Sequence, residues 1–155
     1  MKVALTLNAE KLQLDVPSNE VLLDTLRDRL GLTGTKDVCR TGDCGACTIL
    51  MNGEAIHSCL TLTAEAEGAE IVTVEGLSQG HKLSTVQEAF LEEEATHCGF
   101  CTPGMIISAT ALLMSNPKPT EQEVKEALEG NLCRCGTYYS DVAAVLKASR
   151  KAAKK

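Results

Sequence analysis

The sequence lacks tryptophan and is poor in aromatic residues, with only two Phe and two Tyr among 155 residues. Any compact core must therefore be packed mainly with aliphatic side chains. The sequence also lacks an apolar run of about 20 residues, the length that a membrane-spanning helix needs. Residues 1–7 alternate as in a strand and contain no apolar core of the kind found in signal peptides. We therefore expect a cytoplasmic protein without a membrane span.

Positive charge is scarce as well. The chain has 15 Lys and Arg against 21 Asp and Glu, which gives a formal net charge of −6. Nucleic-acid binding depends on clustered Lys and Arg, so we expect no nucleic-acid partner. Neither a G-x-G-x-x-G motif nor the spacing of a phosphate-binding loop occurs, and no dinucleotide or flavin site is expected on this chain.

Cysteine, by contrast, is abundant, and its eight residues fall into two sets of four. Gaps of four, two and eleven residues separate the members of the first set, Cys39, Cys44, Cys47 and Cys59. This C-x4-C-x2-C…C spacing is typical of a plant-type [2Fe–2S] site. Gly42 and Gly45 flank Cys44, and they allow the backbone to turn tightly and to approach a cluster closely. The first set therefore predicts a ferredoxin-type cluster.

The second set combines a C-x2-C pair with a later C-x-C pair, and its members are Cys98, Cys101, Cys133 and Cys135. The first pair precedes a predicted helix and the second pair follows one, so the four thiols can meet at the ends of two helices. Four thiolates close the coordination of a two-iron cluster, and no cysteine is left over. Arg134 lies between two of these ligands, and its fixed charge would raise the local potential if the side chain points toward the cluster. We predict a second [2Fe–2S] cluster here.

Two other interpretations of the cysteines remain. Disulfides are disfavoured because a reducing compartment favours metal ligation, and Cys133 and Cys135 are too close in sequence to bridge each other well. Structural zinc held by four cysteines is the stronger alternative, because C-x2-C pairs also suit zinc. Iron and labile-sulfide analysis distinguishes zinc from iron–sulfur clusters.

The first half of the chain has the pattern of a small mixed sheet with one helix. Alternating residues on either side of 8–10 predict a hairpin, and Asn52-Gly53 predicts another with a type I′ turn. A further strand is expected at 71–74. Ser18 is the predicted cap of a helix that ends at Gly31.

The second half changes to helical periodicity. Capping boxes begin predicted helices at Ser84 and Thr120, and Thr102-Pro103 begins a third, with Thr102 as its cap. A fourth helix carries Val142, Val145 and Leu146. Four helices predict a bundle. With residues 76–82 as the linker, we divide the chain into a ferredoxin-like domain at 1–76 and a helical domain at 77–155.

Three segments together resemble the iron–sulfur small subunit of the xanthine oxidase family of molybdenum hydroxylases. They are D-C-G-A-C-T at 43–48, H-C-G-F-C-T-P-G-M at 97–105 and G-N-L-C-R-C-G at 130–136. The resemblance covers almost the whole chain and implies an α+β fold, a β-grasp ferredoxin-like domain followed by a four-helix bundle, each with one [2Fe–2S] cluster. It also implies a large partner subunit that binds molybdopterin and a medium partner subunit that binds FAD.

The chain departs from the family pattern at three places. Val38 replaces the usual Gly before the first cysteine. Many members continue with T-G-Y after the cysteine that matches Cys135, whereas this chain has G-T-Y at 136–138. That variant resembles the isoquinoline and aldehyde oxidoreductase branch, although the Y-S at 139–140 is not typical of it. His97 replaces a Gln that contacts the molybdopterin in the family, so the resemblance makes His97 the candidate contact to that cofactor.

No nucleophile or acid–base pair is evident on this chain, so we assign it no catalytic residue and expect substrate chemistry on a partner subunit. It is then the electron-transfer subunit of an oxidoreductase complex. The alternative from another class is a free-standing two-cluster ferredoxin that carries electrons as a soluble monomer.

Overall fold

The computed structural model describes residues 1–153, and within this range five strands form one mixed sheet in the order β2-β1-β5-β3-β4. The strands are β1 (Lys2–Leu7), β2 (Glu10–Asp15), β3 (Thr48–Met51), β4 (Glu54–His57) and β5 (Glu70–Val72). β1 and β5 are parallel, whereas the other neighbours are antiparallel. The predicted α+β class with an N-terminal β-grasp sheet is confirmed.

Both predicted hairpins are confirmed, and both turns use left-handed backbone conformations. Asn8 and Ala9 join β1 to β2 with φ of 49° and 70°, and Asn52 and Gly53 join β3 to β4 with φ of 54° and 86°. A type I′ turn needs positive φ at both central residues, which Asn and Gly adopt readily. These turns fix the register of the two strand pairs.

One face of the sheet packs against the first helix. In β1, every second side chain is buried, as expected for a strand with one face in a core. Across the sheet lies α1 (Leu22–Asp24), which continues as a π-helical turn, Thr25–Arg29. The buried cluster consists of Val3, Leu5, Leu7, Val16, Leu22, Leu26, Ile49, Ala66, Ala69 and Ile71.

The predicted start of this helix at Ser18 was wrong. The helix begins at Leu22 and no side chain caps it. The preceding backbone is instead used for pairing, because Leu22 N–H donates to the Thr61 carbonyl and Thr63 N–H donates to the Glu20 carbonyl. A strand-like pairing with a distant segment therefore replaces the first helical turn.

The second half, as far as residue 153, forms a bundle of four helices. These are α2 (Thr85–Glu92), α3 (Thr102–Ser115), α4 (Glu121–Leu128) and α5 (Tyr138–Ala152). The capping boxes at Ser84 and Thr120 are confirmed. Thr102 is not the cap of α3, however. Cys101 occupies that position, and Thr102 is the first helical residue.

Each half of the chain has its own buried cluster. The bundle core contains Phe90, Met105, Ile106, Val124, Leu128 and Val145, among others. Val74 and Leu77, in the segment that joins the two halves, pack against this bundle core. Residues 154–155, the end of the predicted helical domain, lie outside the described residues. Among residues 1–153, no helix is long and apolar enough to span a membrane.

Candidate metal centres

The first set of cysteines lies at one end of the sheet. Cys39, Cys44 and Cys47 occupy the long loop that connects the first helix to β3, and Cys59 lies in a short helical turn directly after β4. Cys47 and Cys59 are buried, whereas Cys39 and Cys44 are partly exposed. The sheet thus brings the distant fourth cysteine, Cys59, to the loop that carries the other three, where it interacts with Cys47.

The second set lies at one end of the bundle. Cys101 caps α3 and Cys98 precedes it by three residues, while Cys133 and Cys135 lie in the loop between α4 and α5. Cys101 and Cys133 are partly buried, and Cys98 and Cys135 are exposed. Each set therefore has a more buried inner pair and a more exposed outer pair.

Within each set, hydrogen bonding between side chains links the thiols in pairs, and charge interactions also act between the pairs. Cys39 interacts with Cys44, and Cys47 interacts with Cys59. In the second set the pairs are Cys98 with Cys135 and Cys101 with Cys133. Among residues 1–153, no group of three or more His, Cys, Asp and Glu side chains is arranged to hold a metal ion. The strongest interactions between thiols therefore link them in four pairs. A two-iron cluster takes two ligands on each iron.

In the first set, the pKa values of Cys39 and Cys47 are shifted in opposite directions. Thr41 donates hydrogen bonds to Cys39, one of them from its backbone N–H at 3.5 Å, and lowers the pKa of this thiol to about 5. Burial raises the pKa of Cys47 to about 12. Since iron binds the thiolate, Cys39 is ready to ligate at neutral pH, while Cys47 needs a nearby cation to ionise.

In the second set the contrast lies within the inner pair, between Cys101 and Cys133. Burial raises the pKa of Cys101 to about 12. At Cys133 burial also opposes the charge, but the side chain and the backbone of Thr137 outweigh it and lower the pKa to about 7. The Thr137 hydroxyl oxygen lies 3.1 Å from the Cys133 sulfur. The backbone N–H of Cys133 donates to the Tyr138 hydroxyl at 2.7 Å, which fixes the C-x-C loop against the start of α5.

Backbone conformation in the first loop depends on glycine. Gly42 and Gly45 both have positive φ, at 83° and 68°. A Cβ on Gly42 would lie 2.5 Å from the Leu60 side chain. Arg40 also has positive φ, and its guanidinium is held by Asp24 at 2.7 Å and by Asp37 at 2.6 Å. The loop is therefore fixed by its own charges and by close packing.

The fit of these residues to two-iron clusters rests on their donor chemistry. Each set offers four thiols in two pairs and one buried thiol, Cys47 or Cys101, that requires a cation to become a thiolate. In the first set, the Thr41 backbone N–H also lies beside the Cys39 sulfur. Thiolate is the ligand that [2Fe–2S] clusters use. Both sets of residues fit the predicted cofactor.

Thr137 and Asp141 are part of the second site, although neither was predicted from the sequence. Thr137 donates its hydroxyl hydrogen to Asp141 Oδ2 at 2.9 Å. Asp141 is only 1% exposed, and its Oδ1 has no hydrogen-bond partner in the described part of the chain. Burial raises the pKa of Asp141 to about 6. The one sequence signal was an acidic residue in the first turn of α5, a common surface feature.

His97 lies in the exposed loop directly before Cys98. Its charge acts on Asp141 and lowers the pKa of that carboxyl, against the larger effect of burial. Arg134 is exposed between Cys133 and Cys135. Of the other histidines, His57 is half-buried at the end of β4 and His81 is exposed.

Direct contacts join the two sites. The backbone N–H of Leu132, next to Cys133, donates to the Cys44 carbonyl at 2.9 Å. The Asn131 amide donates to the Gly45 carbonyl at 3.0 Å. We call the loop with Cys39, Cys44 and Cys47 the ligand loop of the sheet, and the loop with Cys133 and Cys135 the ligand loop of the bundle. The two hydrogen bonds hold these two ligand loops against each other.

Comparison with known proteins identifies both halves. Residues 5–78 match a family described as a 2Fe-2S iron-sulfur cluster binding domain, and residues 73–146 match a family described as a [2Fe-2S] binding domain. Between them, the two families cover most of the chain and one set of cysteines each.

Similarity extends over whole proteins. The chain is 51% identical over 148 residues to the nicotine 6-hydroxylase small subunit of Paenarthrobacter nicotinovorans, covering 96% of this chain and 89% of that protein. It is 44% identical over 151 residues to the nicotinate dehydrogenase small FeS subunit of Eubacterium barkeri, covering 97% and 96%. Its fold matches a chain of quinoline 2-oxidoreductase from Pseudomonas putida 86 with a TM-score of 0.94 at 44% identity, covering 99% of this chain and 96% of that one.

Proposed function

Because the chain belongs to the iron–sulfur small subunits of the xanthine oxidase family of molybdenum hydroxylases, we propose that it carries electrons between partner subunits through two [2Fe–2S] clusters. The electrons come from a molybdopterin site on a large subunit and leave toward a flavin or another acceptor. The observation that carries the proposal is the presence of two complete four-thiol sets, paired two by two, in loops that touch each other.

When bound, each cluster supplies a one-electron carrier, and the ligands of the two clusters are the eight cysteines. Cys39, Cys44, Cys47 and Cys59 hold the first cluster, and Cys98, Cys101, Cys133 and Cys135 hold the second. The division into a domain at 1–76 and a domain at 77–155 gives each domain one cluster. It is supported by the two separate buried clusters of apolar side chains.

The second site is the proposed entry point for electrons. Its outer thiols, Cys98 and Cys135, are exposed, so a cofactor on a partner subunit can approach them closely. His97 is exposed beside Cys98, and its imidazole can donate a hydrogen bond to that cofactor. We therefore assign His97 to contact the molybdopterin of the large subunit.

Exposed apolar side chains around the second site support a permanent partner. Phe100 is 50% exposed, Leu132 is 57% exposed and Tyr139 is 91% exposed. All three lie within four residues of a second-site cysteine. Exposed apolar groups that cluster on a surface are typical of protein–protein interfaces. We propose that the large molybdopterin-binding subunit covers these exposed side chains.

The backbone provides the connection between the sites. One hydrogen bond, from the Leu132 N–H to the Cys44 carbonyl, links a residue adjacent to one ligand with another ligand. An electron that arrives at the bundle end thus has a short bonded route to the sheet end. From there the partly exposed Cys39 and Cys44 face a next acceptor, which we propose is FAD on a medium subunit.

We place this complex in the cytoplasm. Cysteine ligands persist as thiols in a reducing compartment, and all eight cysteines are free thiols in the structure.

Purification from the native host tests the proposal. The chain should copurify with a molybdenum-containing subunit and a flavin-containing subunit, and native mass measurement should give an assembly much heavier than one chain. A fully active monomer that meets its redox partners only transiently would instead support the free-standing ferredoxin.

A further inference from the structure

Asn131 is a buried polar residue at the point where three segments of the chain meet. It is only 3% exposed. Its side-chain amide donates to the Gly45 carbonyl at 3.0 Å, and its side-chain oxygen accepts from the Ser108 hydroxyl at 2.7 Å. Gly45 belongs to the ligand loop of the sheet, Ser108 to α3, and Asn131 to the ligand loop of the bundle. One side chain therefore bridges both cluster loops and the bundle.

The backbones at this point approach each other very closely. A Cβ on Gly45 would lie 2.3 Å from the Gly130 carbonyl oxygen, and a Cβ on Gly104 would lie 2.4 Å from the Gly45 carbonyl oxygen. Both glycines are buried. The two ligand loops are thus in direct backbone contact, with no space for a side chain between them.

Only an amide of this size satisfies both partners. The Ser108 hydroxyl donates, so it needs an acceptor, and the Gly45 carbonyl accepts, so it needs a donor. The Asn131 side chain presents one acceptor oxygen and one donor N–H group at the correct separation. An ionised Asp presents only acceptors and would leave the Gly45 carbonyl facing a carboxylate. Ala would leave both buried groups unpaired.

The position in the sequence connects this bridge to the ligands. Gly45 lies between Cys44 and Cys47, and Asn131 lies two residues before Cys133. The hydrogen bond between them runs beside the one from Leu132 to Cys44. A change in the length of the Asn131 bridge would therefore be transmitted to ligands of both sets.

We propose that Asn131 is a positioning residue that fixes the separation of the two ligand loops, and thereby the rate at which electrons pass between them. This inference rests on the proposed function, because it needs a cluster at each loop. The bridge holds the loops together while the Leu132–Cys44 hydrogen bond provides the route. Electron tunnelling weakens steeply with distance, so a small opening of the loops reduces the rate.

The test compares Asn131→Asp with a matched control in the assembled, cluster-containing protein. Asn8→Asp is the control because Asn8 also bridges distant segments, with its side chain bonded to Thr73 at 2.9 and 3.1 Å, but within the sheet half. Iron and sulfide content are measured first. Absence of clusters from the wild-type protein would refute the proposed function itself, before the variants are compared.

Two readouts report the loop separation: the spin–spin splitting in the paramagnetic resonance spectrum of the fully reduced protein, and the rate of electron transfer between the clusters. For Asn131→Asp, we expect a loss of splitting and a slower transfer with both clusters still present. For Asn8→Asp, we expect wild-type behaviour. Wild-type splitting and rate in Asn131→Asp, or the same change in both variants, would overturn the inference.

If Asn131→Asp fails to assemble, Ser108→Ala decides. This substitution removes the hydroxyl that donates to the Asn131 side-chain oxygen. It keeps the hydrogen bond from the Asn131 amide to the Gly45 carbonyl, so it loosens the bridge without introducing charge. A smaller loss of splitting in the same direction supports the role of Asn131. A spectrum and transfer rate equal to those of the wild type overturn it.

Discussion

The contact between the two ligand loops predicts that Gly45 tolerates no side chain, and Gly45→Ala tests this against Gly31→Ala. Both glycines have positive φ, at 68° and 70°, so alanine is strained equally at both positions. They differ in their surroundings. A Cβ at Gly31 meets no other atom of the described chain within 4 Å, whereas a Cβ at Gly45 would lie 2.3 Å from a backbone oxygen.

The expected costs follow from this difference. A left-handed alanine costs about 1 kcal/mol, which is the whole expected effect at Gly31. At Gly45 the added atom also needs room, and contacts below 3.0 Å are essentially never seen for a real Cβ. The neighbouring atom is backbone, which cannot rotate away, so we add about 2 kcal/mol for overpacking. Gly45→Ala should thus destabilise the protein by about 3 kcal/mol.

Thermal unfolding of the cluster-loaded protein, at one scan rate and followed by circular dichroism and visible absorption, measures both variants. For a chain of this size, about 1 kcal/mol lowers the midpoint by roughly 3 °C, so Gly31→Ala should lower it by about 3 °C and Gly45→Ala by about 9 °C. Equal shifts for the two variants would refute the close contact between the loops.

Three further predictions concern the sites themselves. Asp141→Asn should raise the unfolding midpoint at pH 8. The folded state holds the Asp141 proton more tightly than the unfolded state, so wild-type stability should fall as pH rises from about 4 to about 6, by at most about 3 kcal/mol, and denaturation curves of the variant should lack this slope. His97→Ala should slow substrate-driven bleaching of the clusters in rapid-mixing experiments, and His97→Gln should be milder; an unchanged rate in the alanine variant excludes the proposed contact. Cys44→Ser should remove one cluster and leave the paramagnetic resonance signal of the other, and loss of both signals from a folded protein would contradict separate sites.

Local chemistry made much of the fold predictable from the sequence. The turn at Asn52-Gly53 and the capping boxes at Ser84 and Thr120 depend on residues within four positions of one another, and the structure confirms them. The helix start at Ser18 was wrong because the outcome depends on residues 61–63, which pair with the preceding backbone. No local pattern contains that information.

The residues of the candidate sites were also predictable only in part. Cysteine spacing divided the eight cysteines into two sets, and the fold places one set at an end of the sheet and the other at an end of the bundle. That each set binds a cluster stays a prediction. Asp141 and Asn131 were not predicted as site residues, although Asn131 lies inside a recognised motif. Their roles arise from burial and from partners such as Gly45 and Thr137, which the fold brings to them.

The central claim, that this chain holds two iron–sulfur clusters, is tested most directly by metal and sulfide analysis of protein purified from its native host. Two thiolate-ligated [2Fe–2S] clusters require about four iron atoms and about four acid-labile sulfides per chain. The account predicts these values, together with a coloured protein that bleaches on reduction. A colourless protein that contains zinc, and neither iron nor sulfide, would contradict it.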